Sequence, residues 1–169
     1  MKRKSKAIFL DRDGVIIKDV GYLNQLDQVK FLPQTTTALR YAFKKGYKII
    51  IITNQSVVGR GIISINKLSK IHNFIKKLLK SKKILIKDIF FCPHHPVFGI
   101  GKFKKKCKCR KPENLLIEKA IKKYNINRHS SLFIGDKKTD MKAAKKSNIK
   151  FKFRSKTNFY LQIKNLINK

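Results

Sequence analysis

Ala7-Ile8-Phe9-Leu10-Asp11-Arg12-Asp13-Gly14 is the stretch on which the reading of this chain turns. Four successive apolar residues have the composition of a short buried strand, and two carboxylates follow it, one residue apart. In an open α/β sheet such a strand delivers its loop to the carboxyl edge, where ligands bind. Acids this close repel each other unless a cation lies between them. A hard ion such as Mg²⁺ suits the place, since it is held by one or two carboxylates together with substrate phosphates. A carboxylate can also attack phosphorus and form an aspartyl-phosphate. A polar turn after a strand would show the same two acids, so the weight falls on what lies downstream.

Working outward, strands and helices alternate, which predicts a mostly parallel sheet with helices on both faces. A helix is expected from about Thr35 to Lys45, stopped by Gly46, then a buried strand over Tyr47–Ile52 that ends in Thr53-Asn54-Gln55-Ser56. Ser64 is placed as the N-cap of a long helix with Leu68, Ile71, Ile75, Leu78 and Leu79 at helical spacing. A strand over Ile84–Phe91 leads into a loop, Cys92 to Cys109, and Pro112 is set in the first turn of the next helix. Leu132-Phe133-Ile134 runs into Gly135-Asp136, followed by a helix over Lys138–Ser147, a strand over Lys150–Phe153 and a last helix over Phe159–Ile167. With no repeat and no linker, residues 1–169 read as one domain. If the three strands ending in Asp11, Thr53 and Asp136 are parallel neighbours, their polar loops converge.

Composition bounds the rest. The formal charge is +33, from 42 Lys and Arg against nine Asp and Glu. Such a surface attracts nucleic acid or anionic membrane. The lysines are spread along the whole chain, however, and outnumber the arginines that favour bidentate recognition, as a biased codon pool would also produce. No specific nucleic-acid partner is therefore expected. The basic start Met1-Lys2-Arg3-Lys4-Ser5-Lys6 is followed by only four apolar residues before Asp11, too few for a secretory signal. No apolar run is long enough for membrane insertion, so the protein is expected to be cytoplasmic and to act as a monomer. Because acids are so few, the grouping of Asp11, Asp13, Asp136 and Asp140 into two short motifs stands out.

Asp11-Arg12-Asp13-Gly14, Thr53-Asn54, Lys111 and Gly135-Asp136-x-x-x-Asp140 resemble, in order, the motifs of the haloacid dehalogenase-like phosphohydrolases. Within that superfamily, Thr53-Asn54-Gln55-Ser56, Cys92-Pro93-His94-His95-Pro96 and Cys107-x-Cys109-Arg110-Lys111-Pro112 resemble the heptose-1,7-bisphosphate 7-phosphatases, with histidinol-phosphate phosphatases next. The resemblance implies a phosphomonoesterase acting on a small sugar phosphate, in a step toward nucleotide-activated heptose for lipopolysaccharide. Asp11 would be the nucleophile and Asp13 the general acid and base. Thr53 and Lys111 would steady the phosphoryl group. Mg²⁺ would be held by the carboxylates of Asp11 and Asp136 and the main-chain carbonyl of Asp13. Asp19, Gly21, Tyr22, Asn54, Gln55, Ser56, Arg110 and Lys137 would contact substrate. Arg12 is expected to point away and shape the loop. Asp140 is left between steadying Lys111 or the metal loop and capping a helix.

All three cysteines plus one histidine give a Cys₃His set for a closed, structural Zn²⁺ in the loop 92–109. Spacing does not choose between His94 and His95 beside Cys92, Cys107 and Cys109; the resemblance favours His94. His72 and His129 read as ordinary helix or loop residues. Too few residues separate the motifs for a cap domain. Ile17, Val57 and Glu113-Asn114-Leu115 depart from the family's usual residues without removing a catalytic group. The rival readings are a histidinol-phosphate or other small-ester phosphatase, a degenerate phosphatase, and a zinc-containing nucleic-acid-binding protein.

Overall fold

The computed structural model describes residues 4–168, so the first three residues of the basic start lie outside it. The elements, in chain order, are β1 (Ala7–Leu10), α1 (Thr35–Lys44), β2 (Lys48–Asn54), α2 (Ser56–Gly59), α3 (Ile65–Ser81) and β3 (Ile86–Cys92). There follow α4 (Leu115–Tyr124), β4 (Leu132–Gly135), α5 (Lys138–Lys146), β5 (Lys150–Phe153) and α6 (Phe159–Ile167). The five strands form one sheet in the order β3-β2-β1-β4-β5, and all its pairings are parallel.

The continuous apolar strands have the pattern of a sheet covered on both faces. Alternate residues of β1 go to opposite sides. Ile8 and Leu10 join Ile49, Ile51, Leu132 and Ile134 in a core closed by α1, α3 and α6. Ala7 and Phe9 join Ile50, Ile52 and Phe133 in a second core closed by α4 and α5. On α3, Leu68, Ile71, His72, Ile75 and Leu79 are buried, the expected stripe with His72 added and Leu78 only half-buried. Ser64 caps this helix, its hydroxyl accepting the Lys67 N–H at 3.1 Å.

One boundary differs. Pro112 lies three residues ahead of α4, after a cis Lys111–Pro112 bond, because a turn closed by the Glu113 N–H on the Arg110 carbonyl (2.8 Å) intervenes. For the site, the register matters most. Leu10 pairs with both Ile51 and Ile134, so the next residues of three adjacent strands emerge together at one edge.

Candidate active site

Asp11 leaves the end of β1, its N–H bonded to the Ile134 carbonyl of β4 at 3.1 Å. Its Oδ1 accepts the Arg12 N–H at 2.7 Å and meets Lys111 Nζ at 3.0 Å. Oδ2 receives no hydrogen bond from the described residues, which leaves it free for a metal or for attack. Lys111 is 3% exposed. Its Nζ also donates to the Ile52 carbonyl (2.9 Å) and pairs with Asp140 Oδ1 at 2.6 Å. The backbone holding Lys111 is fixed from β2: Asn54 Oδ1 accepts the Lys111 N–H (3.0 Å) and Asn54 Nδ2 donates to its carbonyl (3.1 Å). Sequence reasoning gave Asn54 a substrate contact and missed this clamp, which spans 57 positions.

Asp140 does both tasks proposed for it. Oδ2 accepts the N–H groups of Asp136 (3.2 Å) and Lys137 (3.0 Å), capping α5, while Oδ1 faces Lys111. Carboxylate oxygens of Asp11, Asp136 and Asp140 lie within 4.8 Å of one another. With Asp140 occupied by its own partners, Asp11 and Asp136 are the pair open to a cation. Among the described residues, Asp136 Oδ1 is buried without a hydrogen-bond partner. Burial, then the charge of Asp11, pushes its pKa up to about 6. A buried carboxylate oxygen without a partner, beside another acid, fits a hard divalent ion. Gly14 makes room for it: its φ is +75°, and a Cβ there would collide with the Asp136 carboxylate.

Asp13 is held from two sides. Gln55 Nε2 donates to Asp13 Oδ2 at 2.8 Å and to Thr53 Oγ1 at 2.9 Å, so Gln55 and Thr53, 4% and 1% exposed, sit under the site floor. Arg12 does not point away. It folds back onto its neighbour, with Nε 3.1 Å and Nη2 3.0 Å from the Asp13 carboxylate, because a guanidinium buried to 1% exposure needs a counter-charge. Burial raises the Asp13 pKa, Arg12 opposes the rise and Asp11 adds to it.

A cleft of about 500 Å³ opens over Asp11, Asp13 and Lys111, while Asp136, Thr53 and Gln55 are not among its lining residues. Asp11, Asp13, Asp19, Gly21, Asn54, Ser56, Arg110, Lys111 and Lys137 all line it. Asp19 and Lys137 close one wall through a 3.0 Å ion pair. Tyr22 is not among the lining residues; its ring lies 5.5 Å from the guanidinium of Arg60, which also covers Phe98 at 4.4 Å. Arg60 and Phe98 had no signal in the sequence, since each needs the other's loop to gain meaning.

Beside the cleft, Cys92, His94, Cys107 and Cys109 bring four donor atoms within 4.8 Å of one another. The Sγ atoms are 3.1–3.5 Å apart, and His94 Nδ1 is 3.3 Å from Cys109 and 3.6 Å from Cys92. A tetrahedral Zn–S₃N centre has ligand edges of about 3.5–3.8 Å, so this cluster is a slightly contracted version. His95 is used elsewhere: its Nδ1 accepts the N–H groups of Val97 and Phe98.

Comparison with known proteins finds relatives in both sequence and fold. A model of haloacid dehalogenase-like hydrolases matches residues 80–153. A Photorhabdus laumondii protein named D-glycero-alpha-D-manno-heptose-1,7-bisphosphate 7-phosphatase is 40% identical over 154 residues, covering 91% of this chain and 84% of its own. A Haemophilus influenzae protein named for the beta anomer is 38% identical over 139 residues, covering 82% and 75%. The solved structure of the D,D-heptose 1,7-bisphosphate phosphatase of B. bronchiseptica, complexed with magnesium and phosphate, superimposes with a TM-score of 0.78 at 27% identity. That match covers 86% of this chain and 78% of the other.

Proposed function

The chain belongs to the haloacid dehalogenase-like phosphatases, and on that premise we propose that its cleft removes the 7-phosphate of D-glycero-D-manno-heptose 1,7-bisphosphate. The supporting observation is the meeting of Asp11, Asp136 and Lys111 from three separate chain segments, with Asp11 Oδ1 and Lys111 Nζ 3.0 Å apart. In this reading Asp11 Oδ2 attacks phosphorus in line, and the P–O bond to the sugar breaks as the aspartyl-phosphate forms. Asp13 gives its proton to the departing alkoxide, then takes one from the water that hydrolyses the acyl phosphate. The raised pKa of Asp13 suits the first of these steps. Lys111 would face the charge that spreads over the phosphoryl oxygens, with Thr53 steadying the group from the floor beneath.

Asp11, Asp136 and the Asp13 carbonyl would hold Mg²⁺, which when bound offsets repulsion between the anionic nucleophile and the anionic ester. Asp19, Gly21, Asn54, Ser56, Arg110 and Lys137 would contact the sugar and its second phosphate from the cleft wall, with Tyr22 and Gln55 behind them. Cys92, His94, Cys107 and Cys109 would hold a structural Zn²⁺, since four protein ligands leave no open position. The protein is read as a cytoplasmic monomer of one domain, serving lipopolysaccharide heptose synthesis.

A panel of phosphate esters tests the substrate. Both anomers of the heptose bisphosphate belong in it, because the relatives' names divide between them. The heptose bisphosphate is expected to give the highest kcat/KM; preference for histidinol phosphate would overturn the assignment.

A further inference from the structure

His72 is buried on α3, 6% exposed, and the other buried residues of that helix are all aliphatic. Its ring meets the edge of Phe91 at 5.5 Å, and its Nε2 lies 3.2 Å from Arg12 Nη1. Arg12 is a donor only, so at this contact the imidazole must accept and Nε2 must carry a lone pair. Burial, then the charges of Arg12 and Lys76, lowers the His72 pKa to about 3, in keeping with a neutral ring. The remaining face of the guanidinium, Nε and Nη2, is given to the Asp13 carboxylate. The three side chains thus form one buried row, from helix α3 through Arg12 to the acid that faces the cleft.

We infer that His72 is a positioning residue for the phosphatase reaction, fixing the plane of Arg12 so that Arg12 and Gln55 together hold the Asp13 carboxyl where it meets the leaving oxygen. This rests on the reading of Asp13 as general acid. The physical reason lies in the geometry of the fork. A guanidinium can pair with a carboxylate side-on or end-on, and neighbouring residues cannot choose between these by themselves. An acceptor at Nη1 makes the choice, because turning the fork end-on would spend Nη1–H on the carboxylate and leave Nε–H and the His72 lone pair buried without partners. Gln55 then supplies the second support, at 2.8 Å from Asp13 Oδ2.

The chemistry supplies a readout that a purely structural role would not move. Breaking an alkyl phosphate expels an alkoxide that needs the Asp13 proton, whereas p-nitrophenyl phosphate expels a phenolate that does not. The kcat/KM for each ester reports steps through formation of the aspartyl-phosphate. His72→Phe, which fills the space but offers no lone pair, is expected to lower kcat/KM for the heptose bisphosphate about 10- to 100-fold, as for a displaced catalytic group. The p-nitrophenyl ester should change by less than about threefold. His72→Gln, which restores an acceptor, should recover most of the loss.

Equal effects on both esters, no effect on either, or failure of His72→Gln to recover the sugar ester in folded protein would overturn the inference. Should His72→Phe not fold, the ratio of the two esters in His72→Gln against His72→Leu decides by the same criterion. Wild-type protein lacking Mg²⁺-dependent phosphate release would instead sink the proposed function itself, so the two failures are distinct.

Discussion

Lys111 is the cation on which the acidic cluster leans: it touches Asp11, Asp140 and the Ile52 carbonyl while 3% exposed. Lys111→Met should therefore lower kcat by about 10²–10³, the usual effect of losing a preorganised charge-stabilising donor, measured as phosphate release. Asp136 gives a pH dependence with a definite sign. Its folded pKa of about 6 lies above the ordinary 3.8, so the metal-free fold keeps this group's stability below pH 3.8 and loses it as pH rises toward 6. Mg²⁺ binds the deprotonated carboxylate. The rise in Tm on adding Mg²⁺ should thus be larger at pH 7.5 than at pH 5, by differential scanning fluorimetry; an equal rise would remove Asp136 from the metal site. Asp11, Asp13 and Asp136 were legible because they sit in short motifs directly beside strand ends, whereas Lys111, far along the loop after β3, was singled out only by the resemblance of its motif. The inward fold of Arg12 and the Asn54 clamp were not, since both depend on which distant side chain the packing places opposite.

The loop between β3 and α4, residues 93–114, holds little regular structure. One short helical turn, Gly101–Phe103, interrupts it. Its ends are seated by the Ile100 N–H on the Gly59 carbonyl (2.7 Å) and by Arg110 Nη1 on the His94 carbonyl (3.1 Å). Phe98 and Ile100 remain 58% and 65% exposed, so apolar burial cannot order this loop by itself. A metal at the Cys₃His cluster would supply that order. Cys107→Ser is expected to lose zinc by elemental analysis and amide protection across residues 92–111 by hydrogen exchange; full zinc content would refute the ligand set. The strands and most helix bounds were readable from apolar runs and caps. The start of α4 was misread because Pro112 fits a first helical turn by composition, whereas the turn from Arg110 to Glu113 is a feature of the folded chain.

At the scale of the whole molecule, a net charge of +33 surrounds a cleft built for an anion. Long-range attraction of this kind raises encounter rates and is screened by salt. For the doubly phosphorylated substrate, kcat/KM should fall steeply between low and physiological salt while kcat changes little; parallel loss of both would argue against steering. The parallel sheet followed from alternating strands and helices; that the strands ending in Asp11, Thr53 and Asp136 are neighbours was only a condition in the sequence, met by the order β3-β2-β1-β4-β5. Charge alone could not say whether the partner is a small phosphate ester or a polynucleotide; the acidic cluster beneath the cleft is what favours the former. The most direct test is phosphate release from D-glycero-D-manno-heptose 1,7-bisphosphate by purified protein, with Mg²⁺ and with EDTA, beside Asp11→Asn. The account predicts one phosphate released per sugar, abolished by EDTA and by Asp11→Asn. Release no greater than from Asp11→Asn, or unaffected by EDTA, would contradict it.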